Sequence, residues 1–542
     1  MLHTRPRGRI RAHLFAAAAS AALTLIGIAG AAHAQSREET LRVVTGGQVN
    51  SLDAGMQGIT RDGFGLNWNI YDRLVSWDRK KFGDGYIYDF DKMKGELAES
   101  FTISDDGLTV TFNLRKDATF HDGSPITAED VKWSLDRAVS LKGPGAQMGT
   151  GSLKSPDQFK IVDDHTIQVT LDKPDRLAVP NLAVVFPVIL NSDLAKEHAT
   201  AEDPWATEWL KENQASGGAY KVSSFKAGQQ VVLDRFDDWK SGPLPYFKRI
   251  IVQTVPEAST RASLIERGDA DLSIDLQSSD VLALKGRDAV KVVSIPQINA
   301  FQMIAFNTRM APFDDPRVRQ AVAYALPFDD MFTAALYRRG APLWGAKWEN
   351  GLPDTGKFPQ RLPFSTNLDK AKALLAEAGH PGGFKTSFSF NVGSAATSEP
   401  IAALLKESLA KIGIDVTVEK VPDAQMGTLI SEKKLPFFTE SAIAWLPSAD
   451  YFFRVFFQGE TRWNYGSFVD EELAELTAKA RYERDPAAYE TAARRMVAIA
   501  AEKAPVVMLW QPALDAVMAK DIDGFTYWFH RQTDYRSLTR TK

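Results

Sequence analysis

Residues 98–138 constrain the fold more tightly than any other stretch of this 542-residue chain. Asp105-Asp106-Gly107 is a tight-turn signal, because aspartate bonds its own backbone two residues on and glycine accepts a positive φ. Leu108, Val110, Phe112 and Leu114 then alternate with Thr109, Thr111 and Asn113. That period of two puts the apolar set on one face of a half-buried strand. Thr127 with Asp130 has the spacing of a capping box, and Val131, Leu135 and Ala138 share one face of the helix that follows. Turn, strand, loop and capped helix thus come in fixed order.

The N-terminus reads as a targeting segment. Arg5, Arg7, Arg9 and Arg11 are followed by an apolar, Ala-rich run to about Gly30, and Ala32-His33-Ala34 suits cleavage before Gln35. The run is short for a spanning helix, and no adjacent Arg pair precedes it as a twin-arginine signal would require. Cleavage removes four Arg and no acid, which moves the formal charge from -4 to -8. An acidic chain with interspersed charges favours solubility and disfavours a nucleic-acid partner. With no cysteine in the chain, export would bring no disulfide. The remaining length suffices for two or three cores. Aromatic residues make up 10% of the chain, with 12 Trp, and they serve equally to fill cores or to line clefts for organic ligands.

The rest of the pattern alternates helix and strand, as an α/β layer does. A strand over 41–45 leads to a helix around 67–74. Strand 166–171 follows a loop over 142–157, whose Gly, Pro and Ser content marks a long surface loop. A hairpin turns at Ala227-Gly228. Helix 259–265 stops at Gly268 ahead of strand 270–274. Asp315 caps a helix with Pro316 at its first position. Helices over 368–378 and 399–412 then alternate with strands over 385–390 and 415–420, and the chain returns through 505–510.

Four of these stretches also carry a likeness. The 98–138 segment, Ser216-Gly217-Gly218-Ala219-Tyr220-Lys221-Val222, Glu266-Arg267-Gly268-Asp269-Ala270-Asp271, and Ala305-Phe306-Asn307-Thr308-Arg309 with Pro312-Phe313-Asp314-Asp315-Pro316 closely resemble the signatures of the family 5 solute-binding proteins of ABC importers. The resemblance runs from about residue 41 to the end. It implies an α/β, two-lobed periplasmic clamp with a hinge and an additional α+β domain. After the signal peptide (1–34), lobe I would comprise 35–81, 206–299 and 506–542. The additional domain would be 82–205 and lobe II 300–505. The implied function is that of a periplasmic receptor, free of cofactors and monomeric, which captures a peptide or peptide-like solute and delivers it to an ABC permease in the inner membrane. Opines, oligosaccharides and metal chelates are the alternative cargoes. A sensor or chaperone on the same scaffold is the alternative role.

The candidate ligand-binding residues follow from the same likeness. Residues 442–453 resemble a Gly-Trp-x-x-Asp-Tyr-x-Asp-Pro loop that lines the family's cleft, with Trp445 on the family Trp. Ser448 stands where peptide-binding members hold the peptide's α-ammonium with Asp. A neutral hydroxyl cannot supply that charge-assisted bond. Asp450 falls near the second Asp, with Tyr451 in place of Pro. The resemblance also points to Asn464 in the next loop and Trp510 at a strand end. Asn50 and Asp53 follow the first strand, where open α/β sheets place cleft residues. Arg309 reads as structural. No Gly-x-Ser-x-Gly elbow, phosphate-cradling loop or His-Glu-x-x-His pair is present, so the chain does not read as an enzyme. Eight His and no Cys disfavour a metal cage built by the protein itself.

Overall fold

The computed structural model describes residues 36–541, so the basic and apolar segment and the cleavage position before Gln35 lie outside the described residues. One long sheet organises the molecule. Its strands run in the order Asp415–Val421, Lys385–Asn391, Phe437–Ile443, Ala300–Phe306, Val506–Ala519, Leu272–Ser273, Thr40–Thr45, Arg249–Thr254, Gln230–Arg235 and Tyr220–Lys226. The strand Val506–Ala519 joins the two lobes. Val506, Val507, Met508 and Trp510 pair with Ala300–Phe306, while Ala513 to Ala519 pair with Val290–Pro296. The chain crosses a second time at 297–299, where Gln297 N–H donates to the Pro512 carbonyl at 3.0 Å. Hinges between lobes are built from a few loop or element-terminal residues of this kind.

A separate antiparallel sheet, ordered Ala98–Ile103, Thr109–Leu114, Thr166–Thr170 and Phe159–Asp163, packs with the helix Ala128–Ser140. Here the local signals act as anticipated. Gly107 takes φ 74°, Asp106 accepts from Leu108 N–H at 2.9 Å, and the Thr127–Asp130 capping box forms. Val131, Leu135 and Ala138 are buried. This domain is tied to lobe I by a two-bond ion pair, Arg137 to Asp53 at 3.0 and 2.6 Å, with both side chains buried. His121 adds a second tie, with Nε2 2.8 Å from the Gly218 carbonyl and Nδ1 3.1 Å from Ser216 Oγ.

Three local readings change. The segment 142–157 is ordered as the helix Lys142–Met148 and two short 3-10 turns, with Pro144, Gln147 and Met148 buried. Pro144 lies in the helix's first turn, where its missing N–H leaves no intrahelical bond unmade. The first helix spans Arg61–Ile70 rather than 67–74, because the Thr60 hydroxyl caps Gly63 N–H at 3.1 Å. The helix anticipated over 399–412 is Ala395–Ala410.

The C-terminal tail closes lobe I. Strand Thr526–Tyr527 joins the hairpin Val75–Phe82 and Gly85–Gly95, and Trp528 and Phe529 pack on Trp68, Trp77 and Tyr88. Below them Glu96 bridges Arg73 at 2.7 Å and Arg536 at 3.3 Å, and Arg536 also holds Asp534 at 2.9 Å. Burial, reinforced by the neighbouring Glu96, lifts the Asp72 carboxyl to about 7.

Candidate ligand-binding cleft

Trp445 is placed by the crossing between lobes. The strand Phe437–Ile443 runs antiparallel to Ala300–Phe306 and ends opposite Ala300. Ala444 N–H then donates to the Asn299 carbonyl at 2.9 Å, and the Asn299 amide donates back to the Ala444 carbonyl. Asn299 is fully buried and also accepts from the Tyr527 hydroxyl. The residue after Ala444 is therefore fixed relative to both lobes.

From there the half-buried Trp445 ring meets side chains from three distant segments. Phe64 of the first helix approaches edge-on at 5.6 Å, and Phe186 of the additional domain at 4.8 Å. His530 of the tail stacks on it at 3.6 Å with an interplanar angle of 9°. Burial, with the Arg61 charge nearby, pushes the His530 imidazole well below its usual range, so it is neutral. His530 reaches this place through a left-handed backbone, φ 55°. An aromatic wall contributed by both lobes and the additional domain can grip a planar or apolar part of an organic solute.

Ser448 and Asp450 are differently engaged. Both are buried. The Ser448 hydroxyl donates to Asp450 at 2.5 Å and lies 3.0 Å from the Tyr489 hydroxyl, which itself donates to Asp450 at 3.0 Å. Asp450 is neutralised by Arg454 at 3.3 Å and by Arg176 of the additional domain at 3.4 Å. The Arg176 guanidinium lies 3.5 Å over the Tyr489 ring. The carboxylate is thus fully buried and already shared among four side chains. The surrounding contacts continue the theme. Tyr451 donates to Gln147 at 2.9 Å, Arg454 to the Thr150 carbonyl at 3.2 Å, and Arg481 pairs with Asp175 at 2.9 Å and donates to the Gly149 carbonyl at 2.8 Å. Residues 147–176 and 450–481 thus form one polar seam between the additional domain and lobe II.

The remaining candidates lie apart from Trp445. Asn464 is buried and bonds the Gly459 and Phe468 carbonyls at 3.0 and 2.9 Å, which shapes its own loop. Trp510 is fully buried against Phe332. Asn50 accepts from Thr60 N–H at 2.9 Å and donates to the Gly58 carbonyl at 3.1 Å, holding the loop before the first helix. Arg309 forms an exposed pair with Glu460. Phe64, Phe186 and His530 were not singled out from sequence. Phe64 carries a signal in retrospect, an aromatic residue in the polar first turn of a helix.

Comparisons with known proteins identify the family and the fold. Residues 92–464 match the bacterial extracellular solute-binding proteins, family 5 Middle. The chain is 28% identical over 507 residues to the probable D,D-dipeptide-binding periplasmic protein DdpA of Escherichia coli K12, covering 92% of this chain and 93% of that one. It is 30% identical to the glutathione-binding protein GsiB of Pectobacterium atrosepticum, covering 68% of each. In fold it is similar to the periplasmic binding protein DppA of Helicobacter pylori in complex with the peptide STSA, with a TM-score of 0.73, 25% identity, and 93% and 98% of the two chains covered. Among the described residues no helix is long and apolar enough to cross a membrane. This chain belongs to the family 5 extracellular solute-binding proteins, the two-lobed receptors of ABC importers.

Proposed function

We propose that this receptor captures a peptide-like solute that lacks a free amino terminus, with Trp445 as the principal ligand-facing residue. The observation that carries this reading is the engagement of Asp450. Its carboxylate is shared among Arg176, Arg454, Ser448 and Tyr489, and Ser448 offers no charge. A buried ammonium without a carboxylate is strongly disfavoured. The relatives named for D,D-dipeptides and glutathione, and the neighbour holding the peptide STSA, support a peptide-like cargo. Ser448 and Asp450 act on ligand through the seam they build rather than by contact. The chain is exported through its cleaved signal, works as a monomer in the periplasm and delivers its cargo to an inner-membrane permease. It does so as a carrier, without catalysis.

Calorimetry with matched dipeptides tests this. N-acetylated dipeptides should bind at least tenfold more tightly than their unmodified forms. Submicromolar binding of unmodified dipeptides would overturn the reading.

A further inference from the structure

A second feature of lobe I concerns the charge of the cargo. The parallel strands Thr40–Thr45 and Arg249–Thr254 end together, beside Leu272–Ser273. Past their carboxyl ends, under the start of the first helix, lies a cavity of about 270 Å³ lined in part by Thr45, Arg61, Asp62, Asp275, Arg531 and Thr533. The carboxyl ends of parallel strands are where open α/β sheets receive ligands.

The charges in this cavity are unevenly satisfied. Asp275 is held by Arg261 at 3.1 Å, by Gly46 N–H at 2.6 Å and by Ser273 Oγ at 3.0 Å. Asp62 accepts from Thr45 Oγ1 at 2.6 Å. The two bases have no such partners. Arg61 reaches only the His530 carbonyl and Arg531 only the Ile274 carbonyl, each at 3.5 Å. Among the described residues neither forms an ion pair with a carboxylate, and Arg531 Nε is buried without any partner. The two guanidiniums face one cavity and repel each other. Arg61 is exposed at the mouth of the cavity, while Arg531 is half-buried. The planar fork of a guanidinium matches the oxygens of a carboxylate or phosphate.

None of the rings of the aromatic wall lines the cavity, but the chain links the two. His530, the residue before Arg531, stacks on Trp445, and Phe64, one helical turn after Arg61, touches the same ring. We propose that Arg61 and Arg531 together receive an anionic oxyacid group, a carboxylate or a phosphoryl group, at one end of the transported solute. This rests on the receptor reading and deepens it, because the cargo then is an acid as well as lacking a free amino terminus. The cavity has room for the acid group and a few carbons, and the rest of the solute extends toward Trp445.

Matched probes test the pair. N-acetyl-Ala-Phe as the free acid, the same compound as its C-terminal amide, and inorganic phosphate are titrated calorimetrically into the full-length protein and into Arg61→Gln and Arg531→Gln. The acid should bind at least tenfold more tightly than the amide, and each substitution should erase that advantage. Phosphate binding that is lost in both variants, without acid binding, would support the site and assign it to phosphoryl acids. Because each substitution removes one of two repelling charges, the ligand-free variants should melt no lower than the parent. Equal affinity for acid and amide overturns the guanidinium site and leaves the receptor reading standing. So does an acid advantage that survives both substitutions. A site that takes neither acid nor phosphate is overturned as well, as is one whose variants both melt several degrees lower. The receptor reading fails separately, if unmodified dipeptides bind at submicromolar concentration.

Discussion

Two tryptophans that look alike in sequence part company once their neighbours are known. Trp510 is fully buried in the sheet against Phe332, whereas Trp445 is half-buried where three segments converge. Trp510→Ala should therefore cost about 3–5 kcal/mol of stability, the usual range for a deleted core aromatic. Trp445→Ala should weaken ligand binding at least tenfold while the cooperative melt survives. Melts and calorimetry on both variants check this, and loss of the cooperative melt in Trp445→Ala would make that residue core. His121 offers a second test at this scale. Burial draws its imidazole down to about 4 from the ordinary 6.5. The unfolded chain takes up a proton between those values that the folded chain refuses, so this group's contribution is full above 6.5 and shrinks toward pH 4. Asp72 has the opposite sign. Its contribution is full below its ordinary 3.8 and is lost as the pH rises toward about 7. Between pH 7 and 5 the His121 share amounts to ~2 kcal/mol. On going from pH 7 to 5, the melting temperature of His121→Asn should accordingly shift in the stabilising direction relative to that of the parent protein. Equal shifts in variant and parent would contradict the assignment.

At the scale of elements, what was legible in the sequence is what is local. The capping box at Thr127, the Asp106-Gly107 turn and the Asp315-Pro316 helix start are decided by neighbours within four residues, and each forms. The segment 142–157 is the counter-example. Its glycines and Pro144 suggest a loop, but Gln147 and Thr150 receive bonds from Tyr451 and Arg454, residues about three hundred positions away. No local pattern carries that information. The aromatic wall fails to show for the same reason. Trp445 could be placed by its motif, but Phe64, Phe186 and His530 acquire their meaning only by convergence. The seam itself invites a test. Asp450→Asn leaves Arg176 and Arg454 without their shared carboxylate, and breaking a buried pair from one side is strongly unfavourable. If the seam holds the lobes closed, the variant should bind ligand about tenfold more weakly and scatter X-rays with a larger radius of gyration. Unchanged affinity and an unchanged radius would show that the seam does not bias closure.

At the scale of the molecule, the single strand Val506–Ala519 is hydrogen-bonded into both lobes. The lobes can therefore rotate while the sheet stays continuous, and a solute that touches both can shift the population toward the closed form. Trp445 stands beside that crossing, anchored through the buried bonds of Asn299 to Ala444 and Tyr527. The polar seam and the guanidinium pair share no residue, which lets one set of residues govern closure and another read the cargo. The most direct test of the receptor reading is mass spectrometry of the solute released by denaturing the purified full-length protein. The account predicts one organic compound with a blocked or absent amino group, in near-stoichiometric amount. A mixture of short peptides with free amino termini would contradict it.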